Sequence, residues 1–128
     1  GDVLYHSLQV FELARDELPY DEEFLLAALL HDVGKGVDPS DHVTGGLDAL
    51  DGHISERTAW FIKHHMQAHL VRDRTIGHRV HRRLMESPDY EDLMILEDCD
   101  HNGRQPGTIV CDLDEALDYI RDLARQYG

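Results

Sequence analysis

Ten histidines in a chain of 128 residues ask for a chemical reason. Four groups stand out by type and spacing. His31-Asp32 closes a run of apolar residues, His64-His65 forms a second doublet, His6 falls between Val3 and Val10, and Asp100 follows Leu93 and Leu96 at helical spacing. An imidazole and a carboxylate at the end of an apolar helix are costly to bury unless both are satisfied. A metal ion satisfies both, since neutral imidazole nitrogen and carboxylate oxygen are ordinary ligands of borderline and hard cations. Taken singly, each group has a plainer reading. A lone inward histidine is commonly a hydrogen-bonded core residue, and His-Asp a helix end with a solvated acid. Together, an inward histidine, two doublets and an inward aspartate on four separate helices suit a metal site assembled in a bundle core.

The elements that must position these residues are all helical in period. Val3, Val10 and Leu13 share a face with His6, and Leu4, Leu8 and Phe11 widen that stripe, so a first helix is expected to end before Pro19. Asp21 is the expected N-cap of the next helix, with Glu22 and Glu23 favourable in its first turn. Residues 24–30 are apolar all round, the mark of a centrally buried helix. Gly34 and Gly36 are expected to end it, 34–46 to form a loop, and a short helix to follow around 44–51. Ser55 or Gly52 starts a helix through 66, another spans about 74–86 and stops near Pro88, and the next covers about 89–101. Leu113, Leu117, Ile120 and Leu123 mark the last. Strand alternation, internal repeats and low-complexity segments are absent. The expectation is an all-α, single-domain helical bundle of about six to seven helices over residues 1–128.

Charge narrows the partners. Asp and Glu number 26 against 12 Lys and Arg, a net charge of −14 with histidine neutral. Such a field repels nucleic-acid phosphates, so bulk nucleic-acid binding is not expected, whereas a small phosphorylated substrate held in a locally cationic site is compatible. Arg72, Arg74, Arg79, Arg82 and Arg83 cluster in one stretch. They either line a route for an anion or form a solvated helix face. The sequence shows no membrane span and no signal peptide, and its two cysteines, Cys99 and Cys111, fit a reducing cytoplasm rather than a disulfide framework. Nothing in it specifies an oligomer.

The ordered set His6, His31-Asp32 and Asp100 resembles the H…HD…D pattern of the HD superfamily of metal-dependent phosphohydrolases. Leu-Leu-His-Asp-Val-Gly-Lys carries the HDxGK form. Asp100, in Asp-Cys-Asp-His-Asn-Gly-Arg, resembles the Asp-x-x-Gly-Arg of the HD domain appended to bacterial tRNA nucleotidyltransferases, as does Phe-Ile-Lys-His-His-Met at 61–66. The likeness covers about residues 3–104. It implies that His6, His31, Asp32 and Asp100 hold one divalent cation. In two-metal members a histidine after the HDxGK loop and a His-His pair complete a second site, with the HD aspartate bridging. The matching positions are His42, His64 and His65, with His53 a weaker rival to His42. Asp98 is the rival to Asp100 but lies off the Leu93/Leu96 face.

The implied cofactor is one or two divalent ions among Mn, Fe, Co, Ni, Zn and Mg. The implied chemistry is hydrolysis of a phosphate mono- or diester of nucleotide-like character by metal-activated water, with Asp32 central. Lys35 is a candidate catalytic phosphate clamp, or else a solvated loop lysine. Arg104 binds phosphate or braces Asp100. His69, His78 and His81 read as surface residues, and His101 has no assigned role. The chain lacks the polymerising domain of the tRNA enzymes and the Gly-Tyr-Pro motif of cyclic-dinucleotide phosphodiesterases, so a stand-alone HD domain is expected. The alternatives are a dinucleoside polyphosphate hydrolase and a non-catalytic metal- or nucleotide-binding module.

Overall fold

In the computed structural model, which describes residues 2–32 and 54–127, every regular element is a helix. In chain order these are α1 (Asp2–Glu17), α2 (Glu22–Leu30), α3 (Glu56–Arg72), α4 (His78–Met85), α5 (Tyr90–Asn102) and α6 (Leu113–Tyr127). The apolar run predicted to be central is central. Phe24, Leu25, Ala27, Ala28 and Leu29 of α2 are all buried. The helix packs against α1, α3, α5 and α6. Phe11, Phe61, Ile62, Leu93 and Leu96 close around it, and Phe24 meets Phe61 edge to face at 5.6 Å. Burying apolar surface on every side of one helix fixes the axis about which the others are arranged. Among the described residues no helix is long and apolar enough to cross a membrane.

Local signals explain most of the boundaries. Asp21 caps α2 as expected, its Oδ1 accepting the Phe24 N–H at 3.0 Å. Ser55, not Gly52, caps α3, with Oγ accepting from Thr58 N at 3.1 Å. Two expectations need correction. Helix α2 stops at Leu30, ahead of the glycines expected to end it, and its cap His31 keeps right-handed helical backbone (φ −57°, ψ −29°). The predicted loop at 34–46 and short helix at 44–51 lie outside the described residues.

The second correction concerns α3, which runs to Arg72 rather than to 66. It ends in a Schellman motif. Arg74 N donates to Val71 O at 3.1 Å and Thr75 N to Leu70 O at 2.9 Å, while Arg74 takes the left-handed φ of 60° that glycine usually supplies. Residues 74–77 are therefore outside any helix, and α4 begins at His78 instead of 74. Helix α4 is peripheral, with only Leu84 buried.

Candidate metal centre

The C-terminal end of α2 delivers His31 and Asp32 into the core, 1% and 3% exposed. Near the end of the helix, Ala28 O accepts the His31 Nδ1–H at 2.8 Å. That bond settles the tautomer and aims Nε2 inward, 3.2 Å from Asp32 Oδ2 and 3.3 Å from Asp100 Oδ1.

His6 arrives from α1 by a different device. Gly103 caps α5, and a Cβ there would lie 2.8 Å from Val10 Cγ2 and 2.9 Å from Cys99 O. Glycine thus lets α1 lie directly against the end of α5. His6 Nδ1 then donates to Gly103 O at 2.7 Å, leaving Nε2 2.6 Å from Asp100 Oδ1 and 3.6 Å from Asp32 Oδ2. Gln9 secures the same approach. Its Nε2 donates to Gln105 O and its Oε1 accepts from Gln105 N, both at 3.0 Å.

His65 on α3 repeats the pattern, with Nδ1 donating to Ile62 O at 2.6 Å and Nε2 3.8 Å from Asp32 Oδ1. Three histidines on three helices are therefore each held through Nδ1 by a backbone carbonyl. Their rings succeed one another edge to face, His6 to His31 at 5.5 Å and His31 to His65 at 5.3 Å. One ligand atom each from His6, His31, Asp32 and Asp100 fall within 4.8 Å of one another. Ligands bonded at about 2.1 Å to one ion cannot be more than about 4.2 Å apart, so shifts of about half an ångström, with His6 and Asp100 opening from their 2.6 Å contact, would bring all four onto a cation. The donor set fits a divalent ion, with the outer ring nitrogens tied down as metal-binding histidines require.

The electrostatics fit as well. Burial works against charge on His31, but the Asp100 and Asp32 carboxylates outweigh it and push its pKa up to about 10. Burial also works against the Asp100 carboxylate, yet His31, His6 and His69 hold it well below the usual range. His65 goes the other way, lowered to about 4 by burial and by its neighbour His31. The two central carboxylates are thus balanced by imidazolium charge, and a divalent cation would supply the same positive charge at the same place.

Two participants escaped the sequence reading. His69, expected at the surface, lies one turn beyond His65 and inserts between two carboxylates. Its Nε2 is 3.0 Å from Asp100 Oδ2 and its Nδ1 2.5 Å from Glu97 Oε2. The Glu97 contact pairs a histidine with a carboxylate that is itself 3% exposed. Asp100 and Glu97 raise the His69 pKa to about 9. Glu97, 3% exposed, shares a face with Leu93, Leu96 and Asp100. Spacings of three and four residues, 65 to 69 and 93-96-97-100, were the signals available for both.

Other candidates are placed elsewhere. His64 is not brought to the centre, for its Nδ1 bonds Gln67 Oε1 at 2.8 Å and its ring lies 4.8 Å from that of Trp60. Adjacent helix positions point about 100° apart, so the His64-His65 doublet cannot aim both rings inward. Asp98 sits on the outer face, paired with Arg72 at 2.9 Å. Arg104 is 57% exposed and reaches Asp100 Oδ1 only at 3.5 Å. His81 bonds Tyr90 at 3.1 Å, while His78 and His101 are exposed. Lys35, His42 and His53 lie outside the described residues. Residues 3–103 match the HD domain family model. No curated protein gives a significant match to the chain.

Proposed function

Because the chain belongs to the HD domain family, whose members are generally metal-dependent phosphohydrolases, we propose that it hydrolyses phosphate esters of nucleotide-like substrates with a divalent cation held by His6, His31, Asp32 and Asp100. The observation that carries this reading is the convergence of two aspartates on histidine Nε2 atoms whose Nδ1 atoms are already committed to backbone. When bound, a divalent cation supplies Lewis acidity, lowering the pKa of water and polarising phosphoryl oxygens.

The chain's own residues do the rest. Carbonyls of Gly103 and Ala28 fix the two ring orientations, so the imidazoles need not turn on binding. Asp32 bonds from the turn after α2 and Asp100 from α5, and His69 holds the far oxygen of Asp100 so that Oδ1 faces inward. Buried Phe61 and Ile62 on α3 and Leu96 on α5 line the surrounding core and exclude bulk water. Arg104, cationic and exposed beside Asp100, meets the substrate phosphate, and Lys35 clamps it from the segment after Asp32. The whole chain acts as one domain in the cytoplasm, where Cys99 and Cys111 stay free thiols.

A panel of p-nitrophenyl phosphate, bis-p-nitrophenyl phosphate, deoxynucleotides and dinucleoside polyphosphates, assayed with Mn, Co, Ni and Mg, tests the proposal. Metal-dependent turnover of at least one substrate is expected, with a loss of more than about 100-fold in Asp32→Ala, beyond the effect of losing an outer-sphere partner. No turnover with any metal, or full activity in Asp32→Ala, would overturn it.

A further inference from the structure

A cavity of about 760 Å³ is rimmed by Glu17, Asp21, Glu22 and Glu23 near the N-terminal end of α2, and it would repel an anion. A smaller groove has the opposite character. Between α3 and α4 lies a space of about 420 Å³ lined by Trp60, Lys63, His64 and Gln67 on one side and by Arg83 and Leu84 on the other. That volume lies within the about 300–1,000 Å³ typical of small-molecule sites. Residues 60, 63, 64 and 67 form one helical stripe, while His65 on the next face turns to the metal centre, so the two sites share no side chain.

Among the described residues no carboxylate lines the groove, in a chain with 26 acidic residues. Of the clustered arginines Arg72 is paired, with Asp98, whereas Arg79, Arg82, Arg83 and the facing Lys63 have no ion pair among the described residues. Unpaired cations gathered on a peripheral helix are a binding field for negative charge. Beside them stands a half-buried indole, packed on Phe61 at 5.5 Å and on the His64 ring. A fixed aromatic face next to cations that fork onto phosphate is the chemistry that takes a planar base with its phosphate.

We infer that this groove is a nucleotide-binding site separate from the metal centre, with the base on Trp60 and the phosphates between Lys63 and Arg83. Trp60 is the chain's single tryptophan, so its fluorescence reports on the groove directly. The full chain is titrated with α,β-methylene-ADP, which resists hydrolysis, and with adenosine and inorganic phosphate for comparison. Saturable quenching by the nucleotide is expected, weakened by salt. Inorganic phosphate should compete for the site without quenching. Lys63→Glu and Arg83→Glu should each weaken binding by about tenfold or more, the scale of one lost charge-assisted hydrogen bond, and adenosine should bind at least as poorly.

Quenching retained in Asp32→Ala would place the ligand away from the metal centre, and it makes the outcome independent of whether that centre hydrolyses esters. Absence of saturable quenching, equal binding by both charge-reversed variants, or adenosine matching the nucleotide would overturn the inference. So would quenching by a single-stranded oligoribonucleotide at concentrations where the nucleotide has no effect, which would assign the groove to nucleic acid.

Discussion

Two clusters of carboxylates sit between the described helices of this molecule, and they are met by different cations. At one, Arg57 on α3 forks onto both oxygens of Asp21 at 2.7 and 2.9 Å, reaches Asp89 at 3.0 Å and Asp92 at 3.2 Å, and stacks over Phe61 at 4.9 Å. It ties the N-cap residues of α2 and α5 to the first turn of α3, and these acids raise its own pKa further. At the other, histidines make the close ion pairs described for Asp32, Asp100 and Glu97, with the exposed Arg104 reaching Asp100 only at 3.5 Å. A guanidinium is a permanent charge, and that of Arg57 already holds the position between these carboxylates. Imidazolium charge is a proton that can leave, and a cation can take over the space and the charge. The same residue types thus make a brace in one place and a binding centre in the other.

Substitutions can break that contrast or sharpen it. The largest effect is expected from Asp100→Asn, which should abolish metal binding measured by calorimetry while the helical circular dichroism persists. Gly103→Ala should act on both stability and metal affinity. Forcing Val10 and Cys99 back costs about 1–3 kcal/mol in chemical denaturation and moves the carbonyl that orients His6. Arg57→Ala should lower stability by about 1–3 kcal/mol, discounted because the side chain is 25% exposed, with metal affinity unchanged. Glu97→Gln should do the reverse, weakening the metal by about 10- to 100-fold through His69 and Asp100 with little change in the denaturation midpoint. If Arg57→Ala lost the metal, or Glu97→Gln only unfolded the chain, the division between brace and centre would fail.

How much of this was legible depended on the strength of the local signal. Asp21, Ser55 and the apolar run at 24–30 announced α2 and the start of α3, because caps and continuous hydrophobicity act within a turn of themselves. The His6, His31, Asp32 and Asp100 set could be read as inward because each sits among apolar residues at helical spacing. The end of α3 was hidden, since the positions continuing its inner face are His65, Ala68, His69 and Arg72, which scarcely read as an apolar stripe, and its stop is an arginine in left-handed conformation. Cutting the helix at 66 removed His69 from view. Glu97 escaped because a charged residue in an acidic stretch reads as solvated unless its buried neighbours are known. Gly103 stood in the sequence as part of a motif, and only the packing of Val10 against it supplies a reason for glycine.

The claim that the second cluster is a metal centre is tested most directly by a crystal of the chain soaked in Mn²⁺ and measured for anomalous scattering. The account predicts a peak bonded at about 2.1–2.3 Å to His6 Nε2, His31 Nε2, Asp32 and Asp100. A map with no peak there, or with ordered Mn²⁺ bound only by other residues, would contradict it.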